Sequence, residues 1–228
     1  MREIVFDTET TGLDPNSGDR MVEIGCVELI NRVETGNTFH AYFNPQRDMP
    51  AQAEAVHGLS AAFLSDKPLF PALADDLLAY LGDAPLIAHN AAFDFGFLNA
   101  ELAACGRTPV SLDRMVDTVA IARRKHPGAK LSLDALCSRY GVDRSHRVKH
   151  GALLDAELLA QVYVELTGGR QIGLELAGRT QVVETTSQVA TTEVVRVFRA
   201  PRAHAATHEE LERHQAFIKQ MPSPIWVK

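Results

Sequence analysis

The spacing of apolar residues changes along the chain, and each change marks a different kind of element. Near the start, Glu3-Ile4-Val5-Phe6 is a short and almost continuous apolar run, the pattern of a strand buried on both faces. MVEIGCVELINRV (Met21–Val33) and NTFHAYFNP (Asn37–Pro45) instead alternate apolar with polar residues, as half-buried strands do. The ETGN between them (Glu34–Asn37) reads as a turn, so an antiparallel meander of three strands is expected.

From Ala72 the period lengthens to that of a helix. ALADDLLAYLGD is amphipathic and stops at Gly82, PLIAHN is a short strand, and FDFGFLNAELAACG is a second helix ended by Gly106. VDTVAIARRKHP, SLDALCSRYG and ALLDAELLAQVYVELTGG supply three more helical segments. Strands first, helices later and a βα unit between them predict a mixed sheet flanked by helices. At Gly168-Gly169 the pattern dissolves into a stretch rich in Thr, Val and Ala, read as either a small β appendage or a tether. The tether is preferred, because the stretch has few large apolar residues with which to build a core. Beyond it, HEELERHQAFIKQMPSPIWVK opens with an amphipathic helical pattern and carries the single tryptophan, Trp226.

Composition narrows the class. With 228 residues, 46% of them hydrophobic, the chain has the means to bury a core without covalent staples. Cys26, Cys105 and Cys137 form no CxxC pair, so neither a disulfide framework nor a thiolate metal site is suggested, and a reducing cytoplasm is the expected compartment. No signal-like start or membrane-length apolar run is read. The net charge of −6 excludes nucleic-acid binding by bulk electrostatics, so any such contact must be local. Two basic clusters, ARRKHPGAK (Ala122–Lys130) and RSHRVKH (Arg144–His150), stand out, although such runs are usually solvated surface.

The candidate chemistry begins in VFDTETTG. Residues i and i+2 of a strand point the same way, so Asp7 and Glu9 project together from the carboxyl end of the first strand. Like charges this close repel unless a cation neutralises them, and oxygen-only ligands select hard ions such as Mg²⁺ or Mn²⁺. The alternative is that one acid caps the turn and the other is solvated. Asp94 falls in the first turn of one helix and Asp155 near the start of another, positions that also suit an ordinary dipole-complementing acid. Together the four carry a formal charge matching two divalent cations, the arrangement that cleaves phosphodiesters. His150, five residues before Asp155, has the chemistry of a general base near neutral pH.

DTETTG (Asp7–Gly12), HNAAFDFGFL (His89–Leu98) and HGALLDA (His150–Ala156), in this order and at these separations, resemble the three motifs of the DEDDh 3′→5′ exonucleases. Within that family the chain is most similar to the proofreading subunits of bacterial DNA polymerase III, from Met1 to about Gly169. The resemblance implies an α/β fold, a ribonuclease H-like mixed five-stranded sheet flanked by helices, with a C-terminal extension. It implies metal ligation of two divalent cations by Asp7, Glu9, Asp94 and Asp155, with His150 as base. A substrate pocket is implied at Thr10, Thr11, Gly12, Leu13, Val56, His57 and Phe93, with His89 either touching substrate or bracing its loop. For the pocket the residue types agree: Gly12 lets backbone approach a phosphate or sugar, and Leu13, Val56 and Phe93 offer apolar surface to a terminal base.

Downstream, Gln171, Leu174 and Leu176 match the QxxLxL spacing of peptides that dock on the bacterial sliding clamp, and the resemblance places such a segment here. The tail resembles the segment that binds the polymerase (alpha) subunit, with Trp226 as an aromatic anchor. The expected organisation is therefore a nuclease domain over 1–169, a clamp-binding peptide over 170–176, a linker over 177–207 and a polymerase-binding tail over 208–228. The expected activity is metal-dependent removal of mispaired nucleotides from a single-stranded or frayed DNA 3′ end. An RNA exonuclease of the same class, or a noncatalytic adaptor that binds strand ends, are the competing readings.

Overall fold

The computed structural model describes residues 1–145, 147, 149–169 and 205–222. They fall in two compact units, Met1–Leu176 and Ala177–Lys228. The first unit begins with strand β1 (Arg2–Thr10), β2 (Met21–Ile30) and β3 (Val33–Tyr42). Helices α1 (Ala51–His57), α2 (Ala61–Leu64) and α3 (Phe70–Leu81) follow, then β4 (Leu86–Ala88) and α4 (Ala91–Ala104). Strand β5 (Met115–Asp117), α5 (Thr118–Lys125), α6 (Leu133–Tyr140) and α7 (Ala152–Leu166) complete it.

The strands form one mixed sheet in the order β3-β2-β1-β4-β5. β1 pairs antiparallel with β2 on one side and parallel with β4 on the other, and β4 pairs parallel with β5. The buried run in β1 serves both faces. Ile4 and Phe6 pack with Phe70, Leu77, Phe95 and Leu98 of α3 and α4, whereas Val5 packs with Leu159, Ala160 and Tyr163 of α7. Glu3 shares the α7 face and accepts a hydrogen bond from the Tyr163 hydroxyl at 2.7 Å.

Two sequence expectations are corrected. The hairpin between β2 and β3 turns at Asn31 and Arg32, both at positive φ (52° and 66°), with Ile30 facing Val33. Such a two-residue turn matches the twist of its strands. ETGN therefore lies inside β3, and Gly36 (φ 81°) sits opposite the register shift between Val27 and Leu29, so this glycine accompanies an irregular ladder and not the chain reversal. Likewise, Val116 and Asp117 of VDTVAI belong to β5. The helix starts only at Thr118, where the Asp117 carboxylate accepts the Val119 N–H at 2.9 Å.

In the second unit, α8 (His208–Lys219) is opened by a capping box. The Thr207 hydroxyl accepts the Glu210 N–H at 3.3 Å while Glu210 accepts the Thr207 N–H at 2.8 Å. Leu211 and Phe217 are exposed on it. Gln171, Leu174, Leu176 and Trp226 lie outside the described residues.

One glycine controls how closely α7 can approach the sheet. Gly25 is paired with Asp7, and a Cβ on it would lie 2.2 Å from the Leu153 amide nitrogen and 2.4 Å from the Ala152 carbonyl carbon. These are rigid backbone atoms at the start of α7. Gly25→Ala is accordingly expected to destabilise the domain by about 1–3 kcal/mol and to lower its thermal midpoint by several degrees. An unchanged melting curve would contradict this packing.

Candidate active site

The sheet creates the site by letting two strands part. β1 pairs with β4 at Ile4 and Val5, but β4 ends at Ala88 while β1 runs on to Thr10. Beyond that point the chain turns into α4 through Asn90, which is left-handed (φ 65°, ψ 51°) and has its N–H held by the Asp117 carboxylate at 3.1 Å. The crevice outside the carboxyl ends of parallel strands is where open α/β sheets place ligands.

Three elements deliver four carboxylates into that crevice. Asp7 and Glu9 come from β1, while Asp94 and Asp155 each sit in the first turn of a helix, α4 and α7, that has no side-chain N-cap. The uncapped N–H groups and positive dipole ends of both helices thus favour negative charge here. All four acids line one cavity of about 270 Å³ together with His89, Phe93, Asp134, Arg147 and His150. Glu9, Asp94 and Asp155 are buried.

Their electrostatics favour positive charge in the cavity. Burial, then repulsion from Asp94, Glu9 and Asp155, raises the Asp7 carboxyl well above its ordinary value. Glu9 is pushed up to about 8 by burial and by the nearby Asp155 and Glu23. Burial lifts Asp94 to about 7, against hydrogen bonds from Thr8, whose hydroxyl donates to Asp94 Oδ1 at 2.8 Å. Ligand atoms of Glu9, His150 and Asp155 lie within 4.8 Å of one another, a spacing that one cation spans. Four carboxylates converging on one cavity form an oxygen-rich set that fits hard divalent ions.

Arg147 is a site residue that the sequence pattern did not reveal. Its Nε and Nη2 donate to the two Asp155 oxygens at 2.5 and 2.6 Å, and its Nη1 donates to Asp134 at 2.9 Å. Nη2 also lies 2.8 Å from His150 Nδ1. Thr8, Asn90, Ser132, Leu133 and Asp134 were missed as well. The only signal was the basic run RSHRVKH, which as a string reads as solvated surface.

Of the expected substrate pocket, His89 and Phe93 line the acid cavity. His89 Nδ1 is 2.9 Å from the Thr118 hydroxyl, which itself donates to the Ala88 carbonyl, so this histidine also braces its loop. Thr10, Thr11, Gly12, Leu13, Val56 and His57 are not in the cavity lining. The Thr10 hydroxyl donates to the Gly12 carbonyl at 2.6 Å, and the Thr11 hydroxyl accepts the Arg20 N–H at 2.9 Å. A side chain on Gly12 would run into the Asp19 carboxylate at 2.2 Å, which is a packing reason for this glycine within its own loop. Leu13 and Val56 are exposed, His57 is buried with its pKa lowered by burial, and the Val56 carbonyl accepts the His150 N–H at 3.3 Å.

Comparison with known proteins gives these residues a context. Residues 4–163 match the family model described as Exonuclease (RNase T). The DNA polymerase III subunit epsilon of Rickettsia conorii is 49% identical over 227 residues, covering 97% of this chain and 96% of that protein. The subunit of the same name in Escherichia coli is 42% identical over 237 residues, covering 99% of this chain and 97% of that protein. Among solved structures, exonuclease X in complex with 5′-overhanging duplex DNA superposes with a TM-score of 0.56 at 27% identity, over 72% of this chain and 90% of its own. The nuclease domain of 3′hExo, a DEDDh family member bound to rAMP, reaches 0.63 at 18% identity over 73% and 91%, a likeness of fold.

The raised carboxylates set a pH dependence. A carboxyl whose folded pKa exceeds its unfolded value leaves the folded state at a disadvantage once pH rises above the unfolded value, about 4.3 for Glu. With a chelator present, the Glu9 contribution should therefore fall between roughly pH 4.5 and its folded value of about 8. Glu9→Gln is expected to raise the chelated thermal midpoint at pH 8.5 by about 5 °C relative to the unsubstituted chain, with little difference at pH 4.5. Parallel melting curves at the two pH values would refute this.

Proposed function

The chain belongs to the exonuclease (RNase T) family, with DNA polymerase III epsilon subunits as its relatives, and we propose that it is the 3′→5′ proofreading exonuclease of a replicative DNA polymerase. The observation that supports this reading is the convergence of Asp7, Glu9, Asp94, Asp155 and His150 on one cavity at the end of β1. The substrate is the unpaired 3′ end of DNA. Two divalent cations, Mg²⁺ or Mn²⁺, would be held by the four carboxylates and, when bound, supply the charge that activates a water and stabilises the leaving oxygen.

The chain's own groups account for the remaining tasks. His150, half exposed beside the carboxylates, takes the proton of the attacking water. Phe93 offers a face on which the terminal base stacks, and His89 and Asn90 line the same cavity. The new P–O bond forms as the P–O3′ bond breaks, so a 5′ mononucleotide leaves and the shortened strand keeps a 3′ hydroxyl. Mispaired ends are favoured because they unpair at lower cost than matched ones.

The remainder of the chain is assigned to partners. Gln171, Leu174 and Leu176 dock on the sliding clamp, and residues 208–228, including Trp226, bind the polymerase subunit. Among the described residues no helix is long and apolar enough to cross a membrane. The setting is the bacterial cytoplasm, where the replicative polymerase works.

With 3′-mismatched and matched primer-templates, the purified chain and Mg²⁺ should release 5′ mononucleotides, faster from the mismatch. Asp7→Ala should lower the rate at least ~10³-fold, and His150→Ala by about 10²–10⁴-fold. Preference for a matched RNA oligonucleotide, or full activity of Asp7→Ala, would overturn the assignment. A Gln171→Ala, Leu174→Ala double variant should keep its nuclease rate and lose co-elution with the clamp; retained co-elution would remove the docking peptide.

A further inference from the structure

Among the described residues, Arg147 is the permanently charged side chain that lines the acid cavity, and its geometry is that of an occupant. The side chain is only 9% exposed, and hydrogen bonding to Asp155 raises its already high pKa. The guanidinium forks onto Asp155 through Nε and Nη2, engaging both carboxylate oxygens at 2.5 and 2.6 Å. A bidentate pair of this kind takes one in-plane lone pair on each carboxylate oxygen, sites at which a cation could otherwise be held. Nη2 is at the same time 2.8 Å from His150 Nδ1. His150 Nδ1 is also 3.2 Å from Asp155 Oδ2, so guanidinium, imidazole and carboxylate meet in one small cluster.

We infer that Arg147 is a guanidinium latch, an internal counter-ion that occupies the Asp155–His150 position of the metal-free site and is exchanged for a divalent cation when the site is loaded. The inference rests on the reading that these carboxylates take divalent ions. The latch has somewhere to go. Its Nη1 is tied to Asp134 Oδ1 at 2.9 Å, on an acid that is about half exposed and also bound by Arg144 at 2.8 Å. Asp134, Arg144, Arg147, Lys149 and His150 line an adjoining cavity of about 300 Å³. A guanidinium released from Asp155 can therefore stay anchored to Asp134 in a basic surround.

Arg147 opposes the mutual repulsion that raises Asp7 and Glu9. The latch stabilises the empty site and competes with the ion that fills it, so the two effects of removing it have opposite signs. A merely structural arginine would weaken metal binding when removed, or leave it unchanged.

The test is calorimetric titration of Mn²⁺ into the full chain, paired with thermal melts in chelator and in Mn²⁺. Arg147→Gln is expected to bind Mn²⁺ about tenfold more tightly, to melt at least several degrees lower in chelator, and to gain more from Mn²⁺ than the unsubstituted chain. Arg147→Lys, which keeps the charge without the fork, should fall between the two and serves if the glutamine variant does not fold. Mn²⁺ affinity that is unchanged or weaker in both variants would overturn the latch while leaving the nuclease reading intact. Failure of the unsubstituted chain to bind Mn²⁺ would overturn both.

Discussion

The structure turns on the repulsion among carboxylates gathered at the carboxyl end of one strand. Burial and proximity each disfavour the charged forms of Asp7, Glu9 and Asp94, and both act in the same cavity. A fold accommodates this by keeping protons on the carboxyls or by supplying positive charge. Fixed dipoles supply part of it, since α4 and α7 both begin at the cavity with uncapped first turns. The Arg147 guanidinium supplies more, at Asp155. In the proposed reading, divalent cations would meet the rest, and acid repulsion would become affinity for those ions.

The scaffold serves this arrangement from both faces of the sheet. Odd-numbered residues of β1 face α7, and Gly25 opposite Asp7 lets the start of that helix press against the strand. Even-numbered residues face α3 and α4, so Asp94 reaches the crevice from the other layer and is received by the Thr8 hydroxyl. Because β4 stops at Ala88, neither layer closes the gap between them. The αL backbone at Asn90 completes the opening by turning the chain sharply from strand into helix.

Charge is distributed to match a local task. The chain as a whole is acidic, yet Arg144, Arg147 and Lys149 gather at one rim of the cavity. Positive charge confined beside the acid cluster can receive a phosphate backbone without making the protein a general nucleic-acid binder. Arg144 and Arg147 hold Asp134, and Arg147 also meets His150 and Asp155, so one short loop ties the proposed base to a proposed metal ligand.

What the sequence determined is whatever follows from short separations along the chain. Asp7 and Glu9 share a face because they are two apart in a strand, and the helical periods of α3, α4, α6 and α7 are written in their apolar residues. The three ordered motifs carried the family. Local pattern fails where a residue type has two uses: the glycine in ETGN signals a reversal, yet the chain turns at Asn31-Arg32. Tertiary structure alone decided which cation meets the acids. RSHRVKH offers several basic side chains, and only the packing of its loop against α6 and α7 aims Arg147 at Asp155, Asp134 and His150. Contacts of that kind depend on directions in space between elements far apart in the chain, and periodicity along a sequence carries no information about them.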